Sequence, residues 1–159
     1  MAMIMKESSA EKQLAKFMAR YSPEIVAIAE DALKRMRKRL PGAIEMVYDN
    51  YNALVIGFGP TERASEAIFS IALYPRWVTL FFLEGVGLPD PEKLLMGSGK
   101  QVRSIVLKSP SMLDLPAVQT LMKHALNRSE KKIDSKSPGR IVIKSISPKQ
   151  RPRRYIAKA

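Results

Sequence analysis

Residues 44–83 read IEMVYDNYNALVIGFGPTERASEAIFSIALYPRWVTLFFL, and four short runs in this stretch decide the fold. Residues 44–48 mostly alternate apolar with polar side chains. Residues 53–58 form a β-rich run closed by Gly59-Pro60, and 67–73 and 77–83 are two more. Runs of this length, separated by clusters of Asn, Gly, Pro, Thr and Glu, read as strands joined by tight turns. Parallel neighbours need a crossover of a dozen residues or more, and no gap here has room for one. The stretch is therefore expected to be an antiparallel meander. A fifth strand is expected at 102–107, giving a sheet of about five strands. One face of it, carrying Phe69, Ile71 and Leu80 or their neighbours in the alternation, must be buried.

The flanking sequence supplies the cover. Leu14, Phe17 and Met18 make a short helical stripe within 10–20. Ser22-Pro23 then opens a second helix to about residue 39, with Ile25, Ala29, Ala32, Leu33, Met36 and Leu40 recurring at helical spacing. The serine suits the N-cap and the proline the first turn. Glu24, Glu30 and Asp31 lie early and Arg35, Arg37, Lys38 and Arg39 late, as the helix dipole prefers, and Pro41-Gly42 stops the helix. A third helix begins at Asp114-Leu115-Pro116 and carries Val118, Leu121, Met122 and Ala125. Residues 85–101 read as a loop with a short helical turn at 91–95. The order of elements predicts an α+β domain, with N-terminal helices and a C-terminal helix packed on an antiparallel sheet. Three segments follow: residues 1–22 as an N-terminal helix and linker, 23–127 as the domain, and 128–159 as a basic tail. Residues 140–146 have strand character, and whether they join the sheet is open at this level.

The 159 residues carry a net charge of +12, contain no cysteine, and hold a single histidine, His124. These facts exclude disulfides, thiolate sites and cysteine nucleophiles, and argue against multi-histidine metal sites and triad chemistry. No cofactor motif is present, and no catalytic residue stands out. The longest apolar stretch, 77–83, is far below the roughly 20 residues of a membrane helix, and residues 1–10 lack the apolar region of a leader. A cytoplasmic protein without a membrane partner is expected, as a monomer or homodimer. Residues 128–159 hold eleven Lys and Arg against Glu130 and Asp134, so nine of the twelve excess charges sit there.

Two regions offer binding chemistry. Gly97-Ser98-Gly99-Lys100 resembles a phosphate loop but fails that pattern twice, at Leu94 and at Gln101. A reduced form remains, in which Gly97 and Gly99 turn backbone N–H groups outward as an anion nest while Lys100 and Arg103 add charge. The bland alternative is a plain turn into a strand. Tyr48 and Trp77 stand among aromatic residues of which some must point away from the helices and can line a ligand groove. The tail residues Arg140, Lys144, Lys149, Arg151, Arg153 and Arg154 form an extended basic stretch able to follow a phosphate backbone, and so to contact nucleic acid or another polyanion. The block at 35–39 is most simply a solvated helix end. On this reading the 1–127 body folds without the tail, unless Ile141-Val142-Ile143 pairs as an edge strand.

Leu40-Pro41, Tyr48, the strands of 68–83 and Gly97-Ser98-Gly99-Lys100-Gln101-Val102-Arg103, a Gly-x-Gly-Lys-x-x-Arg turn into a strand, together resemble the YdhG-like family of small bacterial proteins over about residues 23–127. The resemblance implies a frataxin-like α+β fold and a domain of unknown function, and brings no catalytic residues. The leading expectation is a non-catalytic protein that binds a small anionic ligand or a macromolecular partner. One alternative is non-specific nucleic-acid binding through the tail. A further one, from a branch of the same family, is a frataxin-like intracellular iron chaperone.

Overall fold

A computed structural model describes residues 9–155; residues 1–8 and 156–159, including most of the segment read as leader-free, lie outside the described residues. Three helices and six strands follow in the order α1 (Ser9–Met18), α2 (Pro23–Arg39), β1 (Ile44–Asp49), β2 (Leu54–Gly59), β3 (Phe69–Leu73), β4 (Val78–Phe82), β5 (Arg103–Leu107), α3 (Pro116–Arg128) and β6 (Arg140–Ile146). Single 3-10 turns stand at Ala64–Glu66 and Pro110–Asp114. The fold is α+β, with the strands in the order β5-β4-β3-β2-β1-β6.

The meander over 44–83 is as expected: β1 to β5 pair antiparallel, each with the next. The sheet differs from expectation at its other edge, where it has six strands and is mixed. β6 lies parallel to β1, with Ile44 opposite Arg140 and Val47 opposite Ile143. The crossover argument that excludes parallel neighbours within 44–83 does not reach β6, because α3 stands between β5 and β6 and supplies the long connection. A register shift at Val47/Tyr48 leaves Lys144 as an extra residue, a bulge of the kind common at sheet edges. Gly42 and Gly139 let the chain return to this edge. Both hold left-handed backbones, at φ +83° and +67°. A Cβ on Gly42 would lie 1.9 Å from the Asp134 carbonyl oxygen, and one on Gly139 2.8 Å from that of Ala43. Any larger residue would push β6 and its lead-in away.

The registers align the core in rows. Ile143, Val47, Ile56, Ile71, Leu80 and Ile105 stand side by side across all six strands, and all belong to or pack on the core beneath the helices. The second row runs Ile141, Glu45, Phe58, Phe69, Phe82 and Arg103, and the third Ile146, Asp49, Leu54, Leu73, Val78 and Leu107. From α2, Ile25, Ala29, Ala32, Leu33 and Met36 are buried, and from α3, Val118, Leu121, Met122 and Ala125. Ser22 caps α2 with its backbone alone: its carbonyl accepts from Val26 N–H, and its side chain makes no capping bond. The helical turn expected at 91–95 is a plain turn, in which the Asp90 carboxylate accepts from Leu94 and Leu95 N–H.

Candidate functional site

The sequence-predicted glycine turn is spent on itself. Arg103 Nη1 donates to the carbonyls of Gly99 and Val102, each at 2.8 Å. Gly97 takes a positive φ of +129°. Lys100 is exposed and lines a shallow depression of about 270 Å³ with Glu84, Val86, Gln101 and Arg128. Arg103 is not among its lining residues, so the two cations do not converge on one spot. Tyr48 and Trp77 do share the sheet face away from the helices. Tyr48 is half-buried there on β1, and Trp77 is exposed at the β3–β4 turn, stacked beside Tyr74. Three strand spacings, about 14 Å, separate β1 from β4, so no small ligand is gripped between them.

The tail is fastened to the body along its length. Arg140 pairs with Glu62, and Lys144 Nζ donates to the Glu62 carbonyl at 3.0 Å. Arg151 N–H donates to the Tyr51 carbonyl, and its guanidinium lies 5.5 Å from the centre of the Tyr51 ring. Arg154 Nε donates to the Arg20 carbonyl at 3.2 Å. Lys149 is exposed with no side-chain partner among the described residues. Arg153 is buried, and its guanidinium reaches into the sheet to meet Asp49 Oδ1 at 2.8 Å and the Asn50 carbonyl at 2.6 Å. Gln150 and Arg20 complete this clamp: Gln150 Nε2 donates to the Asp49 carbonyl at 3.0 Å, and Arg20 Nη1 donates to Gln150 Oε1 at 2.6 Å. Tyr21, buried beneath Arg153, donates to the Leu73 carbonyl and accepts from Leu54 N–H. Burial pushes its phenol above the ordinary value, against the nearby Arg153 charge.

A site that the sequence reading passed over lies between α2 and α3. Lys34, Arg35, Lys38 and Arg39 on α2 face Gln119, Met122, Lys123 and Leu126 on α3 across a groove of about 690 Å³. The α3 residues recur at i, i+3, i+4 and i+7, so one helix face presents them all. Leu40, Met122 and Leu126 make an apolar floor, and among the described residues Asp114 is the only carboxylate in the lining. Five cations thus surround one anion. Asp114 is held by Arg39 Nη2 at 2.6 Å and by Arg35, which also pairs with Asp31 one turn earlier. The hydrogen bond from Arg39, joined by the charge of Arg35, holds the Asp114 carboxyl below its ordinary range. Gln119 is turned back onto the Asp114 carbonyl at 3.0 Å. Lys34, Lys38 and Lys123 are exposed and have no partner among the described residues. Arg39 Nε is buried and makes no hydrogen bond among them. The block at 35–39 signalled charge in the sequence. Nothing local signalled that Asp114 and α3 would stand opposite it.

Asp114 is pinned as an anion by two arginines, and His124 on α3 is exposed and outside the lining. Among the described residues no group of three or more His, Cys, Asp or Glu is placed to hold a metal ion, and no helix is long and apolar enough to cross a membrane. Compared with known proteins, the chain matches no family model, no curated protein and no solved structure.

Proposed function

We propose that this chain is a non-catalytic cytoplasmic binding protein of the YdhG-like, frataxin-like type that holds a small anionic ligand in the groove between α2 and α3. The observation that carries this reading is the charge imbalance of the groove: five cations line it against the one carboxylate of Asp114, only Arg35 finds a second partner, Asp31, outside the lining, and a buried guanidinium N–H of Arg39 has no acceptor among the described residues. Its volume lies within the range of small-molecule sites, and its few charged groups over an apolar floor have the form such sites take. A buried donor without an acceptor is costly, and an anion seated there relieves that cost. Nucleic-acid binding through the tail has weaker support, because Arg153 is committed to Asp49 and most of its neighbours are tied to the body. Iron delivery has weaker support still, because the surplus charge in the groove is positive.

Phosphate or sulfate should raise the melting temperature above what chloride does at equal ionic strength, because a ligand that binds only the native state stabilises it. Lys38→Ala with Lys123→Ala, both at exposed positions, should abolish the difference. If the double variant responds to phosphate as the original chain does, the groove is not the site. The paired variant Lys100→Ala with Arg103→Ala then tests the glycine turn instead.

A further inference from the structure

Resting on the groove as an anion site, the geometry points to a ligand class: an amphiphilic phosphate monoester, with a dianionic phosphate at the cationic rim and a slim apolar body along the floor. Asp114 already supplies one negative charge between Arg35 and Arg39. Lys34, Lys38 and Lys123 remain unanswered around it. Lys34 and Lys38 stand one helical turn apart, where like charges repel. A single carboxylate leaves most of that surplus in place. A phosphate monoester carries nearly two charges at neutral pH and three acceptor oxygens, enough to bridge both helices. The groove also far exceeds a phosphate ion in size, at about 690 Å³. What remains is bounded by Leu40, Met122 and Leu126 and by the methylene stems of the lysines, whose charged ends reach outward. That lining takes hydrocarbon and offers a polar body little besides the Gln119 amide, whose nitrogen already donates to the Asp114 carbonyl.

The test is calorimetric titration of the full chain with inorganic phosphate and with hexyl phosphate. Hexyl phosphate should bind at least about tenfold more tightly, because each methylene that enters the groove contributes about fourfold. Lys38→Ala with Lys123→Ala should lose both ligands. Leu126→Gln should keep inorganic phosphate and lose the advantage of the chain. Equal affinity for the two ligands overturns the amphiphile but leaves the anion reading standing, whereas binding of neither overturns both. An oligodeoxynucleotide that occupies the groove and resists displacement by hexyl phosphate also overturns the amphiphile, in favour of a polyanion. If Leu126→Gln keeps the full chain advantage, the apolar body lies elsewhere and the proposal fails. Phosphatidylcholine vesicles carrying phosphatidic acid separate two sources of the same chemistry. Cosedimentation reversed by hexyl phosphate assigns the ligand to a lipid headgroup. Tight hexyl phosphate binding without cosedimentation assigns it to a soluble ester.

Discussion

Two aspartates in this chain are each gripped by arginines, and the two grips have opposite characters. Asp49 and Arg153 meet with both side chains 2% exposed, inside the sheet. Asp114 meets Arg35 and Arg39 at the rim of an open groove, with 45% of its side chain exposed. The chemistry is the same and the surroundings decide its meaning. In the interior, each charge has lost its water and meets the other at close range, with Arg20 beside Asp49 and the Asn50 carbonyl beside Arg153, so removing either strands its partner. At the rim, water is always available to take over, and the pair holds little free energy. The first pair fastens the chain to itself. The second is a contact that a stronger anion can displace.

The largest effect should come from removing the inner grip altogether. Deleting residues 140–159 strips β6 from β1, bares the outer edge of the sheet and leaves Asp49 buried without Arg153. Urea titration should show the loss of cooperative unfolding, an effect beyond the roughly 3–5 kcal/mol expected for one orphaned partner of a buried pair. A truncated chain that melts normally would mean that the tail only decorates the body. Next, Arg153→Met alone should cost about 3 kcal/mol, and adding Asp49→Asn should return most of it, because replacing both members of a buried pair is often neutral. A single variant as stable as the original would put Asp49 in the same class as Asp114.

Tyr21→Phe should cost about 1–3 kcal/mol, since it orphans the Leu54 N–H and the Leu73 carbonyl. It also has a pH signature. Folding raises the phenol above its ordinary value of 10.0, so its contribution is complete below that value and is lost as pH climbs through the higher folded one. The denaturant midpoint of the original chain should therefore fall more steeply in alkali than that of the variant. The smallest effect belongs to Asp114→Asn. Its carboxyl is held low by Arg39 and Arg35, so what it contributes is present above the ordinary carboxylate value and disappears only as pH drops through the depressed one. At neutral pH the melting curve should barely move. Phosphate should bind more tightly, because Arg35 and Arg39 have lost their resident anion. A large drop in melting temperature would show that the outer grip is structural too.

How much of this was legible follows the range of each signal. The meander was readable because period-two runs with short gaps specify both strands and pairing locally. The helices were readable from their stripes and from Pro23 and Pro116. β6 was visible as Ile141-Val142-Ile143, but its partner is β1, 96 residues earlier (Ile44 opposite Arg140), and a strand carries no local mark of parallel pairing. One clue was present. Glu45 and Asp49 share the phase of Val47 on β1, so the alternation that buries Val47 must bury them as well, and buried carboxylates require cations. Arg37 answers Glu45 at 2.7 Å, and Arg153 answers Asp49. The groove was illegible for a simpler reason: its two walls are each an ordinary amphipathic helix, and its charge surplus exists only once they face each other.

The parallel seat of β6 also dictates an order of events when the chain is made. The hairpins joining β1 to β4 close over short spans and can form as soon as their residues leave the ribosome. The outer edge of β1 has no such neighbour. It waits, with its amides and carbonyls bare and Asp49 lacking its buried partner, until the last of the described strands and Arg153 have emerged. During that interval the nascent chain presents an open, adhesive strand edge to any other strand nearby. β6 and Arg153 therefore act as a latch: the molecule becomes safe from its own kind only once they have taken their places.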